Sequence, residues 1–128
     1  MSINTFDIDG VIFINKECRG VHPGPQDHII TGRSVEELPE TIMMLQSRGI
    51  HNLVHFNQLP YEKKTRETSG QHKAATIKKL NDMGYTVKCH FEDDEIQAAI
   101  IKAAHPNVNI IMIVHDLTNK ENQRNHDF

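Results

Sequence analysis

The stretch Thr5-Phe6-Asp7-Ile8-Asp9-Gly10-Val11-Ile12-Phe13-Ile14 constrains the fold of this chain more than any other. It reads as a hydrophobic strand interrupted by two carboxylates and a glycine. Apolar residues on both sides of the carboxylates suggest a strand buried on both faces, as in the middle of a parallel sheet. A buried carboxylate is costly unless it is paired, hydrogen-bonded or bound to a metal. Two of them so close in sequence repel each other unless a cation sits nearby. Gly10 directly after them permits a tight turn and a close backbone approach to a ligand. A divalent cation at the C-terminal end of a central strand reconciles these demands, and that edge is where open α/β sheets bind ligands. A strand that simply ends in an Asp-rich turn has the same local composition, so the rest of the chain has to decide.

The chain has 128 residues, the size of one domain with a real core. Its hydrophobic and charged fractions, 38% and 24%, fit a globular chain. A formal charge of −3 gives no global drive toward nucleic acid or an anionic membrane, although a local basic patch remains compatible with it. The nine histidines are scattered, without metal-ligand spacing. Cys18 and Cys89 form no CxxC pattern and read as free thiols in a reducing compartment, while counting alone leaves a single disulfide open. No apolar run approaches the roughly 18 residues of a membrane span, and the first strand begins too early for a signal peptide. The expectation is a cytoplasmic protein with no membrane partner.

Alternation runs through the whole chain. Asn15 to Asp27, with Gly20, Pro23, Gly24 and Pro25, is loop, with Val11–Ile14 and Gly20–His22 able to pair as a small flap. His28 to Arg33 reads as a second strand. Ser34 and Glu37 have the capping-box spacing ahead of a helix carrying Leu38, Ile42 and Leu45, irregular or just beginning at Pro39 and stopped by Gly49. His51 to Asn57 is a third strand. Leu59 to Gly70 is polar, with the charge run Lys63-Lys64-Thr65-Arg66, which reads first as a solvated face. A helix is expected over about Gln71 to Met83, with Ser69 as its cap. Thr86 to Phe91 is a fourth strand, followed by Glu92-Asp93-Asp94. Ile96 to Ala104 is helical up to Pro106, and Asn109 to Val114 is a fifth strand. Residues 1–118 form one domain in this reading, and 119–128 a polar, frayed tail. Strands alternating with helices predict a three-layer, Rossmann-like α/β fold with a parallel five-stranded sheet.

In such a sheet all strand C-termini lie along one rim. That brings Asp7, Asp9, Thr31 and the Glu92-Asp93-Asp94 run together although they are distant in sequence. Lys73 shares the stripe of Ile77, Leu80 and Gly84, an odd place for a lysine unless it serves the site or snorkels. Carboxylates for a cation, a hydroxyl, an ammonium and helix N-termini suit a phosphoryl group bridged to Mg²⁺. An Asp can act as nucleophile there.

The motifs Asp7-Ile8-Asp9-Gly10-Val11, Thr31-Gly32-Arg33, Lys73 and Asp93-Asp94, in this order, resemble those of the haloacid-dehalogenase-like (HAD) phosphatase superfamily. The first motif is the most specific, the acidic pair less so, and the lone Thr and Lys least. The resemblance implies sheet order 5-4-1-2-3 and a flap after the first strand. It implies Asp7 as nucleophile and metal ligand, and Asp9 as acid/base with a main-chain contact to the metal. Thr31, Gly32, Arg33 and Lys73 would hold the phosphoryl oxygens, with Thr31 and Lys73 counted among the catalytic groups. Asp93 and Asp94 would complete the Mg²⁺ shell, with Glu92 a further contributor. The segments Asn15–Asp27 and Gln58–Gly70, where this family inserts caps, are too short for a cap domain.

A capless site suits large substrates, or an oligomer in which a neighbour acts as lid. Similarity to polynucleotide kinase 3′-phosphatase domains and the cations Lys63, Lys64 and Arg66 favour, narrowly, a nucleotide or nucleic-acid 3′-phosphate end. The alternative is a sugar phosphate handled by a homo-oligomer. A receiver-type signalling module fits less well, because Lys73 precedes the fourth strand instead of following the last. A catalytically dead module has no use for Asp9.

Overall fold

The computed structural model describes residues 1–15 and 18–115. Five strands, β1 (Ser2–Phe6), β2 (His28–Ser34), β3 (Val54–Asn57), β4 (Thr86–Glu92) and β5 (Asn109–Met112), alternate with three helices, α1 (Leu38–Ser47), α2 (Arg66–Asp82) and α3 (Glu95–Ala104). All strand pairings are parallel, in the order β3-β2-β1-β4-β5. This is the expected order read from the other edge, with β1 in the centre. Alternation along the strands sends neighbouring side chains to opposite faces. Ile29 packs with Phe6, Leu45 and Ile50 on one face, and Ile30 packs with Ile3, Ile77, Leu80 and Ile101 on the other. Helices therefore cover both faces, α1 on one and α2 with α3 on the other.

The first strand is shorter than its hydrophobicity predicts. It ends at Phe6, and Asp7 opens a turn in which the Ile8 carbonyl accepts from the backbone N–H groups of Val11, Ile12 and Phe13. Gly10 adopts φ +84°, a left-handed conformation that costs a glycine little. Val11, Ile12 and Phe13 are fully buried in the α1-side core. An apolar run of this length suits a folded-back turn as well as a strand, because burial alone does not specify which. The small flap is present: Gly20 N–H donates to the Ile12 carbonyl and Val21 N–H to the Val11 carbonyl.

The largest correction concerns α2, which begins at Arg66, well before Gln71. Thr65 caps it, accepting from Thr68 N–H while the Thr68 hydroxyl accepts from Thr65 N–H. Ser69, expected as the cap, lies inside the helix. Gly70 disguises the start of the helix, yet it has a packing reason to be there. A Cβ at this position would lie 2.9 Å from Ile100 Cδ1 and 3.2 Å from Gln97 Cα, so glycine lets α2 and α3 approach closely. Ser34 and Glu37 form the expected capping box over a 3-10 turn, with Pro39 in the first turn of α1. β3 starts three residues later than expected, β5 stops two residues earlier, and β4 gains Glu92.

Among the described residues no cap domain is inserted, and no helix is long and apolar enough to cross a membrane. Cys18 and Cys89 are free thiols. The tail expected at 119–128 lies outside the described residues.

Candidate active site

Register builds the site. Phe6 pairs with Phe91 across β1 and β4, and their rings stack at 4.4 Å. The next residue of each strand is a carboxylate, so Asp7 and Glu92 stand side by side at the C-terminal rim, where Asp7 N–H donates to the Phe91 carbonyl at 3.1 Å. Asp93 follows directly. Asp7, Glu92 and Asp93 offer one carboxylate oxygen each, all within 4.8 Å of one another.

Three clustered acids need compensating charge. Lys73 supplies part of it from α2. Its side chain is 1% exposed, and its Nζ lies 3.1 Å from Asp7 Oδ1 and 2.8 Å from Glu92 Oε1. The lysine sits about two turns inside the helix, and side chains on a helix lean toward its N-terminus, here toward the rim. Behind Glu92, His90 Nε2 lies 3.0 Å from Oε1, and His90 Nδ1 lies 2.7 Å from Thr5 Oγ1. A carboxylate only accepts, so Nε2 carries the proton and the Thr5 hydroxyl donates to Nδ1. Thr5-His90-Glu92-Lys73-Asp7 is thus one buried chain joining β1, β4 and α2. Full burial works most strongly against the Glu92 charge, and the Lys73 ammonium is the chief influence opposing it. With the His90 hydrogen bond, and despite the nearby Asp7, Glu92 is held below the usual carboxylate range.

The remaining sequence-derived residues take distinct places. Asp9 is gripped bidentately by Arg33, through Nε at 2.8 Å and Nη2 at 2.6 Å, while Arg33 Nη1 donates to Thr41. Arg33, expected to hold substrate, therefore holds Asp9 in this arrangement. Thr31 is buried on β2 with its hydroxyl accepting from Arg33 N–H. Gly32 lets α2 approach, since a Cβ there would lie 2.6 Å from Ser69 Oγ. The Ser69 hydroxyl is buried with no hydrogen-bond partner among the described residues.

Asp94, given a share in the metal shell from sequence, stands apart from the acidic group. Its Oδ1 accepts from Ile96 and Gln97 N–H as the N-cap of α3, and Arg66 grips it bidentately at 2.8 and 2.9 Å. Burial pushes its pKa up, but Arg66 and these N–H donors bring it below the usual value. An Asp directly ahead of Glu95-Ile96 is an N-cap signal readable in the sequence. Lys64 reaches Glu37 at 3.3 Å and lies over the Tyr61 ring. Of the three cations in the charge run, Lys64 and Arg66 thus have partners within the fold.

Sequence reasoning put Glu92 on the margin and passed over Thr5, His90 and His115. His115 Nε2 lies 2.6 Å from Asp93 Oδ2. Strand alternation gives the one available signal: Thr5 with Asp7, and His90 with Glu92, occupy the same face two residues apart. Nothing local in the sequence announces His115.

Comparison with family models, curated proteins and solved structures finds no match to this chain, so its own geometry carries the functional reading.

Proposed function

We propose that the protein is a Mg²⁺-dependent phosphomonoester hydrolase of the HAD type that works through an aspartyl-phosphate on Asp7. The observation that carries this reading is the convergence of Asp7, Glu92 and Asp93 at the C-terminal end of the central strand, with a buried Lys73 paired to the first two. The donor set suits a hard cation: carboxylate oxygens from two adjacent strand ends, with no thiolate among them. When bound, Mg²⁺ would offset the acidic charge and that of the phosphoryl oxygens.

The chain's own groups divide the remaining work. Asp7 attacks phosphorus and the ester oxygen leaves with a proton from Asp9. Asp9 then takes a proton from water, which cleaves the acyl phosphate and returns Asp7 and free phosphate. In the arrangement described Arg33 occupies both Asp9 oxygens, so Asp9 carries the proton only after exchanging that pair for the leaving oxygen. Lys73 and Thr31, with the Ser69 hydroxyl one helical turn from Lys73, supply donors for phosphoryl oxygens. With Lys64 bound to Glu37 and the half-exposed Arg66 to Asp94, the charge run offers a polyanion less positive charge than its sequence suggests. The proposed substrate is therefore a phosphomonoester that needs no polyanionic tail.

Incubation with an aryl phosphate and a panel of natural phosphates, in Mg²⁺ and then in EDTA, tests this reading. Metal-dependent phosphate release is expected from wild type and none from Asp7→Asn, because an amide cannot form the acyl phosphate. Activity of Asp7→Asn near wild type, or a panel with no turnover at all, overturns it.

A further inference from the structure

We infer that His115 is a positioning residue for the metal, holding the Asp93 carboxylate in the orientation that binding requires; the inference rests on the metal site proposed above. The other acids at the rim each have an orienting partner from a regular element. Asp7 has Lys73, Glu92 has Lys73 and His90, Asp9 has Arg33, and Asp94 has Arg66 and the first turn of α3. Asp93 lies just past the end of β4, outside any regular element. One grip on its carboxylate comes from the far edge of the sheet.

The chain leaving β5 is tied to the end of β4, because Ile113 N–H donates to the Glu92 carbonyl at 2.8 Å. Two residues on, His115 places Nε2 2.6 Å from Asp93 Oδ2, and the two side chains are only 10% and 2% exposed. Gly10 makes room for the pair: a Cβ there would collide with both Asp93 Oδ2 and His115 Nε2. Three chain segments thus meet at one carboxylate oxygen. A carboxylate has two oxygens and several lone pairs, so it can accept from His115 and bind a cation at the same time. Hydrogen bonds of this kind orient the ligands of a metal, and their loss typically weakens metal affinity about 10–100-fold.

Mn²⁺ is the probe, because its binding can be followed without turnover, by the paramagnetic resonance of the free ion or by calorimetry. His115→Ala is expected to raise the Mn²⁺ dissociation constant about 10–100-fold, while His115→Gln, which offers an amide N–H at similar reach, stays within about threefold of wild type. Melting temperatures in EDTA should agree closely among the three proteins. A wild-type dissociation constant in His115→Ala overturns the positioning role and leaves the metal site standing. Equal losses in both variants, accompanied by a lower melting temperature in EDTA, also overturn it, in favour of a purely structural contact. A wild-type protein that binds no Mn²⁺ overturns the metal reading and this role with it.

Discussion

Helix α2 serves two polar assemblies through neighbouring residues, one buried and one half-buried, and they treat charge in opposite ways. Lys73 enters the acidic site, where an ammonium between Asp7 and Glu92 keeps charge inside the protein by opposing it with charge. His72 turns toward β3, where Nε2 meets the His55 carbonyl at 3.1 Å and His55 Nε2 lies 2.9 Å from His28 Nδ1. The His28 and His55 rings stack, and Tyr85 meets His28 edge-on. Burial pushes all three histidines below their ordinary pKa, and His55, with His28, Lys79 and His72 adding to the effect, falls to about 4. The geometry explains why the cluster rejects charge. Two imidazolium rings carry protons on every nitrogen, so charging both would set N–H against N–H across 2.9 Å. The acidic site keeps its ions because each is paired, whereas the histidine cluster holds together by remaining neutral. Only the first arrangement holds opposed full charges inside the protein.

Removing the ion that makes the difference should have the largest effect. Lys73→Met leaves Asp7 and Glu92 buried and facing each other, and loss of one partner from a buried ion pair typically costs about 3–5 kcal/mol. Urea unfolding in EDTA should register a loss of this order, with Mg²⁺ recovering part of it if the acids bind the metal. A variant as stable as wild type in EDTA would mean that Lys73 does not hold the acids together, and the contrast with the histidines would fail.

Acid should separate the two regions by pH window. A histidine with a depressed folded pKa takes up protons first in the unfolded chain. Its contribution is therefore complete above 6.5 and declines as pH falls, over a range reaching down to about 4 for His55. Glu92 is also depressed, but from a carboxylate value of 4.5, so its contribution stays intact above that pH and is lost only as pH falls through its folded pKa. Stability should therefore begin to fall between pH 7 and 5 on account of the histidines alone. The decline should be on the order of 1 kcal/mol after discounting for the partial exposure of the His55 ring. Replacing His28 and His55 together by Gln should flatten the curve in that range while leaving the fall below pH 4.5. An unchanged slope between pH 7 and 5 would show that the histidines titrate alike in both states.

The difference between the regions also governs how much of each was legible in the sequence. Parallel α/β architecture follows from the alternation of strands and helices. Asp7 stands out because a carboxylate at the end of an apolar run is anomalous. Lys73 stands out for the same reason on an apolar helical stripe. Glu92 hid among three consecutive acids, and only the pairing of Phe6 with Phe91 puts it level with Asp7. His115 and the histidine cluster hid because their partners lie 22 and 27 residues away and share no local period with them. The start of α2 hid behind Gly70 and a Thr65–Thr68 cap that lacks the usual acidic partner. Propensity argued for loop there, and packing against α3 overrode it.

The smallest expected effect is also the sharpest test of which acids belong to the site. Asp94 stands beside Asp93 in sequence, yet its two oxygens serve Arg66 and the first turn of α3. Asp94→Asn keeps an oxygen able to cap the helix, and asparagine ranks with aspartate as an N-cap. What it loses is the charge opposite Arg66, whose side chain is 44% exposed, so solvent screens the pair and the cost should be below about 1 kcal/mol. The Mn²⁺ dissociation constant should not change, because the carboxylate that is altered lies outside the acidic group. Asp93→Asn, by contrast, removes a member of that group and should weaken Mn²⁺ binding by at least about tenfold, the lower end of what losing even a supporting contact costs. Calorimetry on the two variants side by side decides the matter. Equal weakening would mean that Asp94 leaves Arg66 for the cation, and the boundary drawn here between metal site and helix cap would have to move by one residue.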